Sequence, residues 1–238
     1  MRKYVVEAAD KFPIQHLFTT VAVDQKGRTT ARKPAMLTEN HEEREAAIEA
    51  DMLQHSQLYR QLTVQGRVVP ALNQITSEHN IRVRDLGFLV RNKPFIPPGH
   101  EGIFQKGFYA GFTSDFVTAA HLLVPQVENS IRYVLTQAGK ITSGINAQMV
   151  QEEHDINRLL EWPEVKNIFG EALVFDLKGL LISRFGANFR NRLAHGLIPD
   201  VGFYAVESVY TWWLLLKICV LPIIQIQDEA PTPTEKKP

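Results

Sequence analysis

An arginine directly followed by an asparagine and, after three more residues, by a histidine stands in Ala187-Asn188-Phe189-Arg190-Asn191-Arg192-Leu193-Ala194-His195-Gly196. An imidazole titrates near neutral pH and can take or return a proton, so His195 suits a general base or acid. A guanidinium carries a fixed positive charge, so Arg190 suits the stabilisation of charge building on a phosphate. Asn191 can orient a scissile group or hold the histidine tautomer. Together they fit attack of a ribose 2′-hydroxyl on its own phosphodiester, which needs no metal. The same residues could equally cap a helix and close a buried hydrogen-bond network, and both readings stand at this point.

Other chemistries find little support. The eight histidines include no H-x3-H or HExxH pair, and Glu152-Glu153-His154-Asp155 reads as a solvated acidic turn rather than a metal site. There is no G-x4-G-K-[ST] phosphate loop and no G-x-S-x-G elbow. We therefore expect no metal and no cofactor. Trp212 and Trp213 lie in so apolar a stretch that core packing outweighs base stacking. Lysine plus arginine number 26 and aspartate plus glutamate 26, so net charge is zero. That argues against a nucleic-acid coat protein but not against one local RNA contact.

The motif needs a helix to carry it. Leu173 to His195 is expected to form one, closed by Gly196. On it Leu177, Leu181, Arg184, Asn188, Asn191 and His195 fall along one face. A stripe that turns from leucine to polar side chains needs polar partners. Glu128, Asn129 and Arg132 on the preceding long helix can supply them, or a second copy of the protein. Lys178, Arg184, Arg190 and Arg192 have no acid among them, and such local positive charge favours a phosphate ligand, with Arg184, Asn188 and Arg192 as binding residues.

The rest of the sequence is read as scaffold. Residues 17–30, β-branched and aromatic around Asp24-Gln25-Lys26-Gly27, predict a small hairpin. Glu42 to Gln61 lacks glycine and proline and predicts a helix. A second helix is expected after Pro70 as a first-turn proline, and a short one at Arg84 to Val90. Pro94-Phe95-Ile96-Pro97-Pro98-Gly99 marks a boundary. This divides the protein into an N-terminal region, 1–96, a helical bundle, 97–227, and a disordered tail, 228–238.

Within the bundle, helices are expected at His100 to Gly111, from a Ser114 cap to Gly139 with Pro125 inside, near Gln151 to Leu160, and at Val206 to Ile226. The last is apolar, but Lys217 and Pro222 interrupt it below the roughly 20 residues of a membrane span. A core helix is expected, not an anchor. Cys219, the one cysteine, excludes an internal disulfide. With Glu7, Asp10 and Lys11 interrupting any signal-peptide core, a cytoplasmic location is expected.

Phe108-Tyr109-Ala110-Gly111-Phe112, Asp115-Phe116, His121 through Arg132, Gly186 through Asn191, Ala194-His195-Gly196-Leu197 and Val209-Tyr210-Thr211-Trp212-Trp213 together resemble the bacterial family catalogued as domain of unknown function 4209. That family is regarded as HEPN-like, and Arg190-Asn191-x-x-x-His195 is similar to the HEPN signature. The resemblance implies a mainly α fold, a HEPN-like bundle of four to five helices, beside a smaller N-terminal helical region. It implies a homodimer that brings two motifs together. It also implies a metal-independent endoribonuclease of the toxin or phage-defence kind, with RNA as substrate and Arg190, Asn191 and His195 as catalytic residues. A non-catalytic HEPN module that binds RNA, nucleotide or a protein, or a dimerisation domain of a longer protein, fits the same residues.

Overall fold

A computed structural model gives the fold for residues 1–23, 27, 29–145 and 151–228. It is mainly helical, as expected, with two small antiparallel hairpins among the described residues. Helix α1, Arg2–Lys11, leads through a 3₁₀ turn at Pro13–His16 to strands β1, Thr20–Val23, and β2, Thr29–Lys33. These strands pair from Thr20 with Lys33 to Val23 with Thr29, and the register shifts between Ala22 and Val23. The hairpin expected over 17–30 is therefore present. Asp24, Gln25 and Lys26 of its turn lie outside the described residues.

Helix α2 spans His41–Thr63. Its N-cap is Asn40, whose side-chain oxygen accepts the Glu42 and Glu43 backbone N–H groups, with both acids in the first turn. The backbone then passes through a π-helical segment, Val64–Val68, into α3, Val69–Glu78. The helix expected after Pro70 is therefore present as α3, with Pro70 in its first turn, and it follows α2 without a loop. The wider π turn directly before it, with Val69 N–H bonded to Val64 C=O, carries the backbone past a proline that brings no donor and would crowd the preceding turn.

A 3₁₀ turn at Val83–Leu86 and helix α4, Gly87–Val90, follow. Helices α5, Glu101–Phe112, and α6, Phe116–Gln137, come next. The cap of α6 is Asp115, which accepts from Thr118 N–H, and not Ser114. Ser114 is used to close α5: it takes the left-handed conformation at φ 59°, with Ser114 N–H on Gly111 C=O and Asp115 N–H on Ala110 C=O. Strands β3, Ser143–Ile145, and β4, Gln151–Glu153, pair. The helix expected over Gln151 to Leu160 is reduced to α7, Ile156–Leu159, because Asp155 caps it through Arg158 N–H. After α8, Pro163–Phe169, and α9, Glu171–Leu177, come a π-helical segment, Lys178–Ile182, and α10, Phe189–Ala194. A 3₁₀ turn at Asp200–Tyr204 precedes α11, Val206–Asp228. The expected tail, 228–238, lies outside the described residues except Asp228.

The protein forms two compact units. The first combines residues 1–70 with 154–207 and the second 71–153 with 208–238. The boundary read at 96/97 falls inside the second unit. In the first, Ala47 and Ile48 of α2 close over Val5 and Ala9 of α1. In the second, Gly107 lets Leu123 pack against α5, and Gly111 lets Trp212 do the same. The Trp212 indole donates to Phe108 C=O at 3.1 Å and meets Phe112 edge-on at 5.1 Å. Trp212 is thus core, as expected. A Cβ on Gly111 would lie 2.1 Å from the indole nitrogen. Gly111→Ala is expected to destabilise the protein by about 1–3 kcal/mol, the cost of overpacking. An unchanged thermal midpoint would contradict this.

Among the described residues no helix is long and apolar enough to cross a membrane. Lys217 sets its ammonium 5.2 Å over the Trp213 ring. Cys219 is buried, and that burial pushes its thiol up to about 12, so it is inert at neutral pH.

Candidate functional site

The motif sits on α10, but not at the end of one long helix. The helix expected over Leu173 to His195 breaks between Ile182 and Phe189. Ser183 turns to extended backbone at ψ 132°, and its hydroxyl accepts Phe185 N–H at 3.2 Å. Ala187 N–H then reaches back to Gly179 C=O at 2.9 Å. This approach is so close that a Cβ on Gly186 would lie 1.8 Å from the Gly179 oxygen. Position 186 therefore needs glycine, and a Cβ on Gly179 would come within 2.5 Å of Leu53 Cδ2. Asn188 reverses the backbone at φ 49°, a left-handed conformation that asparagine tolerates better than most residues. Phe189, 1% exposed, anchors the start of α10. The single polar stripe from Leu177 to His195 therefore does not exist, because its two halves are on separate segments.

The residues from Asn188 onward are nevertheless brought together. Arg190 Nη1 donates to Asn191 Oδ1 at 3.1 Å, and Asn191 Nδ2 donates to Asn188 Oδ1 at 2.7 Å. All three are half-buried. His195 is one turn beyond Asn191, and its backbone N–H bonds Asn191 C=O at 3.1 Å. Gly196, at φ 64°, gives its N–H to Leu193 C=O, and Leu197 gives its own to Arg192 C=O. This closes the helix as its glycine predicted and leaves His195 exposed.

One partner escaped the sequence reading. Asp155, the cap of α7, lies near enough to Arg190 to feel its charge. The Arg158 backbone N–H, the Asn157 amide and the Arg190 guanidinium hold its carboxyl below the usual carboxylate range. Its signal was Asp155 three residues ahead of Arg158, a cap spacing set inside what had read as a plain acidic turn.

The other expected residues separate. Arg184 lies exposed in the break and Arg192 half-buried on α10. Lys178 is not open to a phosphate: its ammonium is 2.8 Å from Glu49 and 2.7 Å from Glu161. Burial lowers its pKa, but those two partners outweigh burial and raise it. Glu128, Asn129 and Arg132 belong to the second unit and have partners there. Glu128 and Arg132 form an ion pair one turn apart on α6, and Arg132 also lies 3.8 Å from Glu153. Asn129 lies 3.4 Å from His100 Nδ1, the nitrogen that faces Gln126 Oε1 at 2.8 Å. The polar groups of the motif find partners in Asn188 and Asp155 instead. Among the described residues no group of three or more metal-ligating residues is present.

Comparison with protein-family models, with characterised proteins and with solved structures found no match. The functional reading therefore rests on the residues themselves and on the resemblance they carry.

Proposed function

We propose that the protein is a metal-independent endoribonuclease of the HEPN type, in the toxin or phage-defence class, with Arg190, Asn191 and His195 at its centre. One observation supports this most: the exposed His195 stands one turn from an Asn191 held on both sides, by Arg190 and Asn188. An exposed imidazole beside a fixed polar frame suits proton transfer.

His195 takes the proton of the ribose 2′-hydroxyl. The 2′-oxygen bonds to phosphorus, and the bond from phosphorus to the 5′-oxygen breaks. The 5′-oxygen leaves as a hydroxyl with the proton that His195 gives up again, and a 2′,3′-cyclic phosphate remains. Arg190 supplies the fixed charge facing the non-bridging oxygens. The expected result is cleavage of total RNA by purified protein in EDTA, lost in the Arg190→Ala/His195→Ala double variant. RNA left intact by the parent protein refutes the reading.

A second reading has its own support. Arg190 already lies near enough to Asp155 for its charge to help lower that carboxyl's pKa, which suits a non-catalytic module that binds RNA, nucleotide or a protein. That module would retain RNA without cutting it.

HEPN domains habitually pair, and the proposal includes a homodimer that brings two motifs together. Light scattering at micromolar concentration is expected to give twice the single-copy mass of 27.0 kDa. A single-copy mass contradicts the pairing.

A further inference from the structure

Asn188 occupies the N-cap position of α10. An asparagine there ordinarily has extended backbone, and its side chain accepts a backbone N–H of the first turn. Asn188 does neither: its side chain makes no capping bond, and its backbone is left-handed at φ 49°. The other positive-φ residues that are not glycine, among those described, are Asn92 and Ser114. Both follow the ends of helices, α4 and α5, where a left-handed residue is the usual way to stop. Asn188 instead begins a helix, so neither capping nor stopping accounts for it.

Its side chain is used elsewhere. Asn188 Oδ1 accepts from Asn191 Nδ2 at 2.7 Å, and Asn191 Oδ1 accepts from Arg190 Nη1 at 3.1 Å. The direction of this chain matters, because a guanidinium only donates whereas an amide has one accepting and one donating end. Turned end for end, the Asn191 amide would set its NH2 against the Arg190 donors. The Asn188 oxygen accepts only the NH2 end, and so it holds the Asn191 oxygen towards Arg190. All three side chains are half-buried, which strengthens such bonds relative to open water. We infer that Asn188 is a positioning residue for RNA cleavage, which fixes the Arg190 guanidinium through Asn191 and does not itself touch the RNA. The inference rests on the ribonuclease reading, and it replaces the RNA-binding role that the basic stretch around Asn188 suggests.

Two substitutions in the full-length protein test it. Asn188→Gly keeps the left-handed backbone without strain and deletes the acceptor. With its thermal midpoint near the parent value, its kcat on a single-stranded RNA in EDTA is expected to fall by about 10- to 100-fold, the scale of a catalytic group displaced by about 1 Å. KM should change little, because a loosened guanidinium costs most where charge builds in the transition state. Asn188→Asp restores the acceptor, since either carboxylate oxygen can take the Asn191 N–H, and is expected to recover most of the lost kcat. A folded Asn188→Gly protein with parental kcat, a loss confined to KM, or an Asn188→Asp protein as slow as Asn188→Gly overturns the inference and leaves the ribonuclease reading standing. RNA left intact by the parent removes that reading and the inference with it. If Asn188→Gly does not fold, NMR of the parent decides. One side-chain amide proton of Asn191 should exchange with water more slowly than those of the exposed Asn73, and equal exchange overturns the inference.

Discussion

His195→Ala is expected to lower the rate of RNA cleavage by about 10²- to 10⁴-fold, the scale of a lost acid–base group. The imidazole is exposed and sits at the C-terminal end of α10, where Gly196 and Leu197 close the helix through backbone bonds alone. Removing the imidazole therefore leaves the cap intact, and the thermal midpoint should stay near the parent value. That separates chemistry from scaffold, because a merely structural histidine would affect stability before rate. Activity should persist in EDTA, the product should carry a 2′,3′-cyclic phosphate, and DNA should be inert because it lacks the nucleophile. If the alanine protein cuts RNA as fast as the parent, or if DNA is cut equally well, His195 is not the acid–base group and the proposed mechanism falls.

The contrast between what was legible and what was not follows the range of the interactions. Helix α2 was readable because Glu42 to Gln61 is locally consistent, with no glycine or proline. The stop at Gly196 was readable because only a left-handed residue can close that helix, and glycine takes φ 64° without strain. The break at Ser183 to Asn188 was not readable. It depends on Ala187 N–H reaching back to Gly179 C=O past a Gly186 with no Cβ, and Leu-Leu-Ile-Ser-Arg-Phe between the two glycines has no strong breaker. The π segments were missed for a similar reason, since periodicity at 3.6 residues does not anticipate a locally wider turn. In the candidate site, Asn188 and Asn191 were found by spacing along a helix. They meet instead because Asn188 turns the backbone just before α10. Asp155 was invisible as a partner because it is distant in sequence from Arg190.

Asp176→Ala is expected to cost about 3–5 kcal/mol of stability, the usual loss when one partner of a buried ion pair is removed. Arg60 of α2 is 1% exposed. Its Nε donates to Asp176 Oδ1 at 2.9 Å, and its Nη2 lies 2.8 Å from the same oxygen and donates to the Asp176 backbone carbonyl at 3.1 Å. A guanidinium stays ionised at any ordinary pH, so it cannot escape burial by losing its proton. Without the carboxylate it remains in the core with its backbone acceptor but without that countercharge. The retained carbonyl, and the 22% exposure of the Asp176 carboxylate arm, place the loss towards the lower end of the range. Arg60→Met/Asp176→Leu removes both charges and should cost less than Asp176→Ala alone. Urea unfolding gives the measurement: the midpoint should fall and the slope should stay constant. A shift within about 0.5 kcal/mol, typical of surface substitutions, would mean that water or another partner takes over the guanidinium. Arg60 also lies against Gly179, where a Cβ would come within 2.9 Å of Nη2. The pair thus supports the segment whose carbonyl receives Ala187 N–H just ahead of α10. RNA cleavage by Asp176→Ala should therefore be lost on warming well before the parent loses it, and remain near parental at low temperature where the fold persists.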